Sequence, residues 1–77
     1  MPIESAATFG RVLRRRRLAR GLTQAALAEA AEISLNHVSL MERGLRTPSL
    51  DVFIQVARGL GVRPAELAGE LDAELQG

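Results

Sequence analysis

The stretch from Gly21 to Gly44, GLTQAALAEAAEISLNHVSLMERG, holds two short helical patterns separated by Glu32, Ile33 and Ser34. Each pattern opens on a hydroxyl residue, Thr23 before the first and Ser34 before the second. A side-chain oxygen placed there accepts a hydrogen bond from a first-turn backbone N–H that has no partner within the helix. The first pattern predicts a helix from Gln24 to about Ala31, with Leu27, Ala28 and Ala31 facing inward. The second predicts a helix over Leu35–Arg43, with Val38 and Met41 or Glu42 on its inner face and Gly44 as its left-handed stop. Two short helices joined this tightly cross at a steep angle, so the second can project from the domain surface.

The flanks extend the same pattern. On the N-terminal side, Phe9, Val12 and Leu13 share a face of a helix predicted over about Ala6–Arg20, with Ser5 or Thr8 as its cap and Gly21 as its stop. Arg14 to Arg17 read first as a solvated helix face and second as a nucleic-acid tract. Arg17 is different: it falls on the Phe9 and Leu13 stripe, so its stem is expected to be buried and its charge to need a partner. On the C-terminal side, Thr47, Pro48 and Ser49 form a turn and a new cap, and Asp51 complements the next helix dipole. That helix spans about Leu50–Leu60, with Val52, Phe53, Val56, Ala57 and Leu60 at core spacing and Gly61 as its end. A fifth begins with Pro64 at its first position and runs to about Leu75, with residues 64–76 as the C-terminal helix. No stretch alternates as a strand would, so the fold class is all-α, a single domain over residues 1–77.

A chain of 77 residues is near the size at which burial barely offsets conformational entropy. With no cysteine there is no disulfide framework and no thiolate metal site, which leaves regular helix packing or self-association as the extra source of stability. The first residues carry no secretory pattern, and no apolar run approaches the roughly 20 residues of a membrane helix, so a cytoplasmic, nucleoid-associated protein without a membrane partner is expected. Charge is unevenly spread. Residues 1–48 hold eight arginines against four glutamates, a net of +4, while residues 49–77 hold two arginines against five carboxylates, a net of −3. The split suggests that the basic half meets an anion while the acidic half faces water or a partner. All ten basic residues are arginine, whose planar fork suits phosphate.

LTQ at Leu22–Gln24, ALAEAAEIS at Ala26–Ser34, and MERG followed by TPS between Met41 and Ser49 together resemble the helix-turn-helix family of lambda-type phage repressors and Cro, the XRE family. The resemblance spans about Phe9 to Leu67. It implies a compact five-helix DNA-binding domain, with the helix-turn-helix at helices 2 and 3 and the third helix in the major groove. On that basis Leu35, Asn36, Ser39 and Leu40 are the expected base contacts, with Ser39 the weakest. Thr23 and Gln24, at the exposed start of the second helix, and His37, Arg43 and Arg46 around the third are the expected backbone contacts. Arg17 and Glu42 match a pair that forms an internal salt bridge in the family. Asn36 is the most interpretable reader, because an amide can donate and accept at once on the adenine edge; the two leucines can only pack on thymine methyls or exclude other bases. Two departures stand out. Glu32 occupies a turn position usually held by Gly, and Arg63 precedes Pro64 where a capping Ser or Thr is common.

One recognition helix touches few base pairs, so a homodimer on a near-palindromic operator is expected. Leu67, Leu71 and Leu75, stacked four apart, are assigned to the dimer interface, Leu67 also closing its own core and the other two standing exposed in a monomer. The leading function is a sequence-specific transcriptional regulator, repressor or dual autoregulator, such as a small controller of restriction-modification or a phage-type switch. The alternative is an antitoxin that binds a toxin through its acidic C-terminal half. An enzyme is not expected: one histidine, no cysteine, no tyrosine and no carboxylate cluster leave no catalytic residues, metal site or cofactor.

Overall fold

The computed structural model describes residues 4–77. Among them are five helices: α1 (Ser5–Ala19), α2 (Gln24–Ala31), α3 (Leu35–Glu42), α4 (Leu50–Gly59) and α5 (Pro64–Gln76). Three begin as their hydroxyl residues require. Thr23, Ser34 and Ser49 have extended backbones, and their side-chain oxygens accept from the N–H groups of Ala26, His37 and Val52 at 3.0, 3.0 and 3.1 Å. The cap expected for α1 is absent. Glu4 precedes the helix without a side-chain cap, Ser5 is already helical, and Thr8 is buried with its hydroxyl accepting from Arg11. A hydroxyl caps only from just outside the first turn, and that turn is closed by the Thr8 N–H on the Glu4 carbonyl. Arg63 likewise gives α5 no cap, as expected, and Pro64 stands at its first position.

The first four helices end alike. In each, a residue in the left-handed region follows the helix, and the next N–H reaches back to a carbonyl five residues earlier: Leu22 to Arg17, Ile33 to Ala28, Leu45 to Leu40 and Val62 to Ala57. Gly21, Gly44 and Gly61 supply three of these left-handed positions, and Glu32, at φ 60°, supplies the fourth. The turn therefore keeps the geometry of its glycine-bearing counterparts, and Glu32 carries roughly 1 kcal/mol of backbone strain. Ile33, the next residue, packs against the core.

Apolar stripes from all five helices meet in one core. Phe9, Val12 and Leu13 of α1 join Leu27, Val38, Met41, Val56 and Leu60, and Leu67 closes the lower end from α5. Val52 and Phe53, predicted as core, are half-buried and pack against its edge, Phe53 with its ring centroid 5.9 Å from that of Phe9. Two crossings depend on glycine. A Cβ on Gly10 would lie 2.6 Å from the Met41 carbonyl oxygen, and one on Gly59 would lie 3.0 Å from the Ala31 nitrogen. The first contact brings α1 onto α3 more closely than a side chain would allow, and the second leaves little room for one between α4 and α2.

The last helix departs from expectation in one place. Leu67 is fully buried and closes the domain core, as expected. Leu71 is half-buried against the core rather than exposed, because it turns toward Phe9 and Phe53 across a recess of about 270 Å³. Leu75 is exposed as expected.

Candidate nucleic-acid interface

The helix-turn-helix is held from behind by a buried ion pair. Arg17, at the C-terminal end of α1, donates from Nε to Glu42 Oε2 at 2.6 Å and from Nη2 to Oε1 at 3.0 Å. Its remaining Nη1 reaches the Leu22 carbonyl oxygen at 2.8 Å. Both side chains are almost closed to solvent, 8% exposed for Arg17 and 2% for Glu42. The hydrogen bonds to Glu42 raise the Arg17 pKa despite the opposing effect of burial, so the guanidinium keeps its charge. One guanidinium thus ties the end of α1 to the start of the α2 segment and to the last turn of α3. The salt bridge implied by the resemblance is present, and it has a third member that sequence reading missed. Gln24 Nε2 donates to Glu42 Oε1 at 3.1 Å, so the first residue of α2 is fastened to the last residue of α3.

This bracing leaves one face of α3 outward. Val38 and Met41 are fully buried, whereas Leu35 is 51% exposed, Asn36 is exposed, and Ser39 and Leu40 are half-buried. Positions 35, 36, 39 and 40 form a continuous stripe on a helix, and Arg43 extends it. The structure therefore brings the four predicted readers together on the surface opposite the core. His37 is half-buried at the side of this stripe, and Arg43 and Arg46 are exposed beyond the end of α3. At the start of α2, Thr23 is exposed and half-buried Gln24 has one of its two amide N–H donors committed to Glu42.

The arginine run does not behave as one patch. Arg15 and Arg16 both donate to Glu70 on α5, and Arg15 lies 3.7 Å from Glu74. Burial pushes the Glu70 carboxyl up, but the hydrogen bonds from Arg15 and Arg16 outweigh it and hold the pKa below its ordinary value of 4.5. The same contact raises the Arg15 pKa. Arg20 is turned to the Leu60 carbonyl oxygen at 2.9 Å. Part of the basic half thus neutralises part of the acidic half within the chain, which corrects the reading of the charge split as anion-facing against partner-facing. The acidic, leucine-bearing surface expected of a toxin-binding half is correspondingly reduced. Such pairing joins residues more than 50 apart in sequence. The glutamates four apart on α5 were its only local signal. Gln55, whose amide caps the Ala31 carbonyl at 3.2 Å, was equally hidden.

A helix pair joined by a tight turn, capped at both starts, braced behind and carrying an outward polar and apolar stripe, defines a DNA-binding helix-turn-helix domain. The helix-turn-helix family model matches residues 13–67, and the chain belongs to that family, in its XRE-type form. Among solved structures it resembles the restriction-modification controller protein C.AhdI from Aeromonas hydrophila, at 37% identity over 80% of this chain and 94% of that one, with a TM-score of 0.77. It is also similar to the clp gene regulator ClgR from Corynebacterium glutamicum, at 30% identity over 96% of this chain and 94% of that one, with a TM-score of 0.83. The controller protein C.Esp1396I shares the fold at a TM-score of 0.87 and 23% identity, over 95% of this chain and 96% of that one. No curated protein sequence matches the chain at a comparable level. The chain is a DNA-binding transcriptional regulator. Among the described residues no helix is long and apolar enough to cross a membrane, and no three His, Asp or Glu side chains are grouped to hold a metal ion.

Proposed function

We propose that the protein is a concentration-dependent regulator that binds a near-palindromic operator as a homodimer, with α3 of each copy in successive major grooves. The observation that carries this reading is the exposed α3 stripe on a helix locked by Arg17 and Glu42. In it Asn36 reads adenine, Leu35 and Leu40 pack on thymine methyls, and Ser39 adds a hydroxyl. Thr23, Gln24, His37, Arg43 and Arg46 hold phosphates, with Gln24 using its second amide hydrogen and the backbone N–H groups at the start of α2. The likeness to a restriction-modification controller and to a gene regulator of similar size favours control of few promoters, including its own.

Dimerisation is supported by exposed apolar side chains. Leu50, 75% exposed, lines a recess with Phe9, Phe53 and Leu71, and Leu75, 44% exposed, follows one turn after Leu71 on α5. A two-fold dimer would set the two α3 helices about 34 Å apart, over half-sites about 10 bp apart or a multiple. Selection of bound sites from random DNA tests the proposal: it should return a palindrome at that spacing, and a single asymmetric half-site would refute the dimeric mode. Asn36→Ala should lose roughly 1–3 kcal/mol of discrimination at one base position, and an equal loss at every position would remove its readout role. Leu71→Asp should yield monomers in sedimentation, and an unchanged mass would take α5 out of the interface.

A further inference from the structure

We propose that Arg14 is an additional phosphate contact, through which α1 joins α2 and α3 in gripping the DNA backbone. The inference rests on the DNA-binding reading and adds a third helix to that surface. Ala7, Gly10, Arg14 and Arg17 follow at steps of three and four residues, so they form one stripe along α1. The other three members all touch the end of α3. A Cβ on Gly44, the residue that stops α3, would lie 3.2 Å from the Ala7 Cα. Gly10 lies under the Met41 and Glu42 carbonyls, and Arg17 holds the Glu42 carboxylate. Arg14 sits between the last two, so its backbone is carried alongside the final turn of α3.

Its side chain is committed to nothing there. Arg14 is exposed, and among the described residues no carboxylate lies within 4.0 Å of its guanidinium. The neighbours in the run differ, since Arg15 and Arg16 are drawn to α5 and Arg17 is buried. Arg14 is therefore the member of Arg14–Arg17 that presents a free cation on the α3 side of α1. Arg43 and Arg46 are exposed around the same end of α3. Arg14 would add a third planar guanidinium to those two, and a fork of N–H donors engages phosphate oxygens in pairs. Such a contact carries no sequence information and instead fixes how the domain sits on the duplex.

Fluorescence anisotropy titrations between about 50 and 200 mM salt test this, using a duplex carrying the selected site and an unrelated duplex of equal length. Arg14→Gln should make the slope of log affinity against log salt shallower by about 0.9, or about 3.5-fold less loss of affinity across that range. The weakening should be the same on both duplexes. Arg14→Lys should restore the slope, and Arg58→Gln, on the outer side of α4, should leave it unchanged. An unaltered slope for Arg14→Gln overturns the proposal, and a lower melting temperature with that unaltered slope assigns Arg14 to the negative end of the α3 dipole instead. Failure of the unsubstituted protein to bind either duplex in a salt-dependent way removes the DNA-binding reading as well. Normal binding by that protein with no effect of Arg14→Gln removes only this one.

Discussion

Two faces of α1 make contrasting use of the same chemistry. At the α3 junction Arg17 and Glu42 are almost sealed from water and each nitrogen of the fork has an acceptor. At the α5 junction Arg15 is half open to solvent and shares Glu70 with Arg16. Adjacent arginines in one run thus differ in energy because of burial and not because of residue type. A buried pair costs a great deal to break, since the partner left behind stays charged in a poor solvent. An exposed pair is screened by salt and competes with water. The α3 junction is built to be fixed, and the α5 junction to be adjustable.

The largest expected effect tests the fixed side. Glu42→Ala leaves Arg17 without its counter-ion and Gln24 without its acceptor, and should cost about 3–5 kcal/mol of stability in chemical denaturation, with little dependence on salt. A loss below about 1 kcal/mol would place this pair in the same class as the exposed one and erase the contrast. Glu70→Ala should cost about 1 kcal/mol or less, and the difference from the parent should shrink at high salt. The pH dependence has a definite sign. Because the folded protein holds the Glu70 pKa below 4.5, the unfolded chain takes up the proton more readily. The stability contributed is therefore complete above the ordinary carboxylate range and is lost as pH falls through the folded value. In Glu70→Ala that part of the acid destabilisation should be missing, and an unchanged acid limb would deny Glu70 the role. The smallest effect belongs to Arg15→Ala, which in the same denaturation should fall below that of Glu70→Ala, since Arg16 remains on Glu70.

The same division marks how much could be read in the sequence. Helix starts at Thr23, Ser34 and Ser49 and stops at Gly21, Gly44 and Gly61 depend on neighbours within about five residues, so they were legible. The outward stripe of α3 followed from its period once Val38 and Met41 were assigned inward. Pairings that depend on which helices meet were not legible. Glu70 draws Arg15 and Arg16 only because α5 returns across α1, and Gln24 finds Glu42 only because α2 and α3 cross at their remote ends. Gly10 gave a partial signal. Glycine inside a helix is unfavourable without a reason, and its reason is a backbone carbonyl 2.6 Å from where a methyl would stand. The empty cap of α1 marks the opposite error, a hydroxyl near a helix start credited with a bond that its position denies it.

The distribution of work on α3 has a consequence for change over time. Val38, Met41 and Glu42 hold the helix in place, while Leu35 and Asn36 stand clear of that attachment. Replacing the outward residues should alter which DNA is chosen while leaving folding nearly untouched, so the helix behaves as a key blank whose teeth can be recut while its shaft stays seated. On the proposed reading, a population of such chains would exchange operators by a few substitutions, each viable on the way. That freedom would come from an ion pair on the side of α3 opposite its outward stripe.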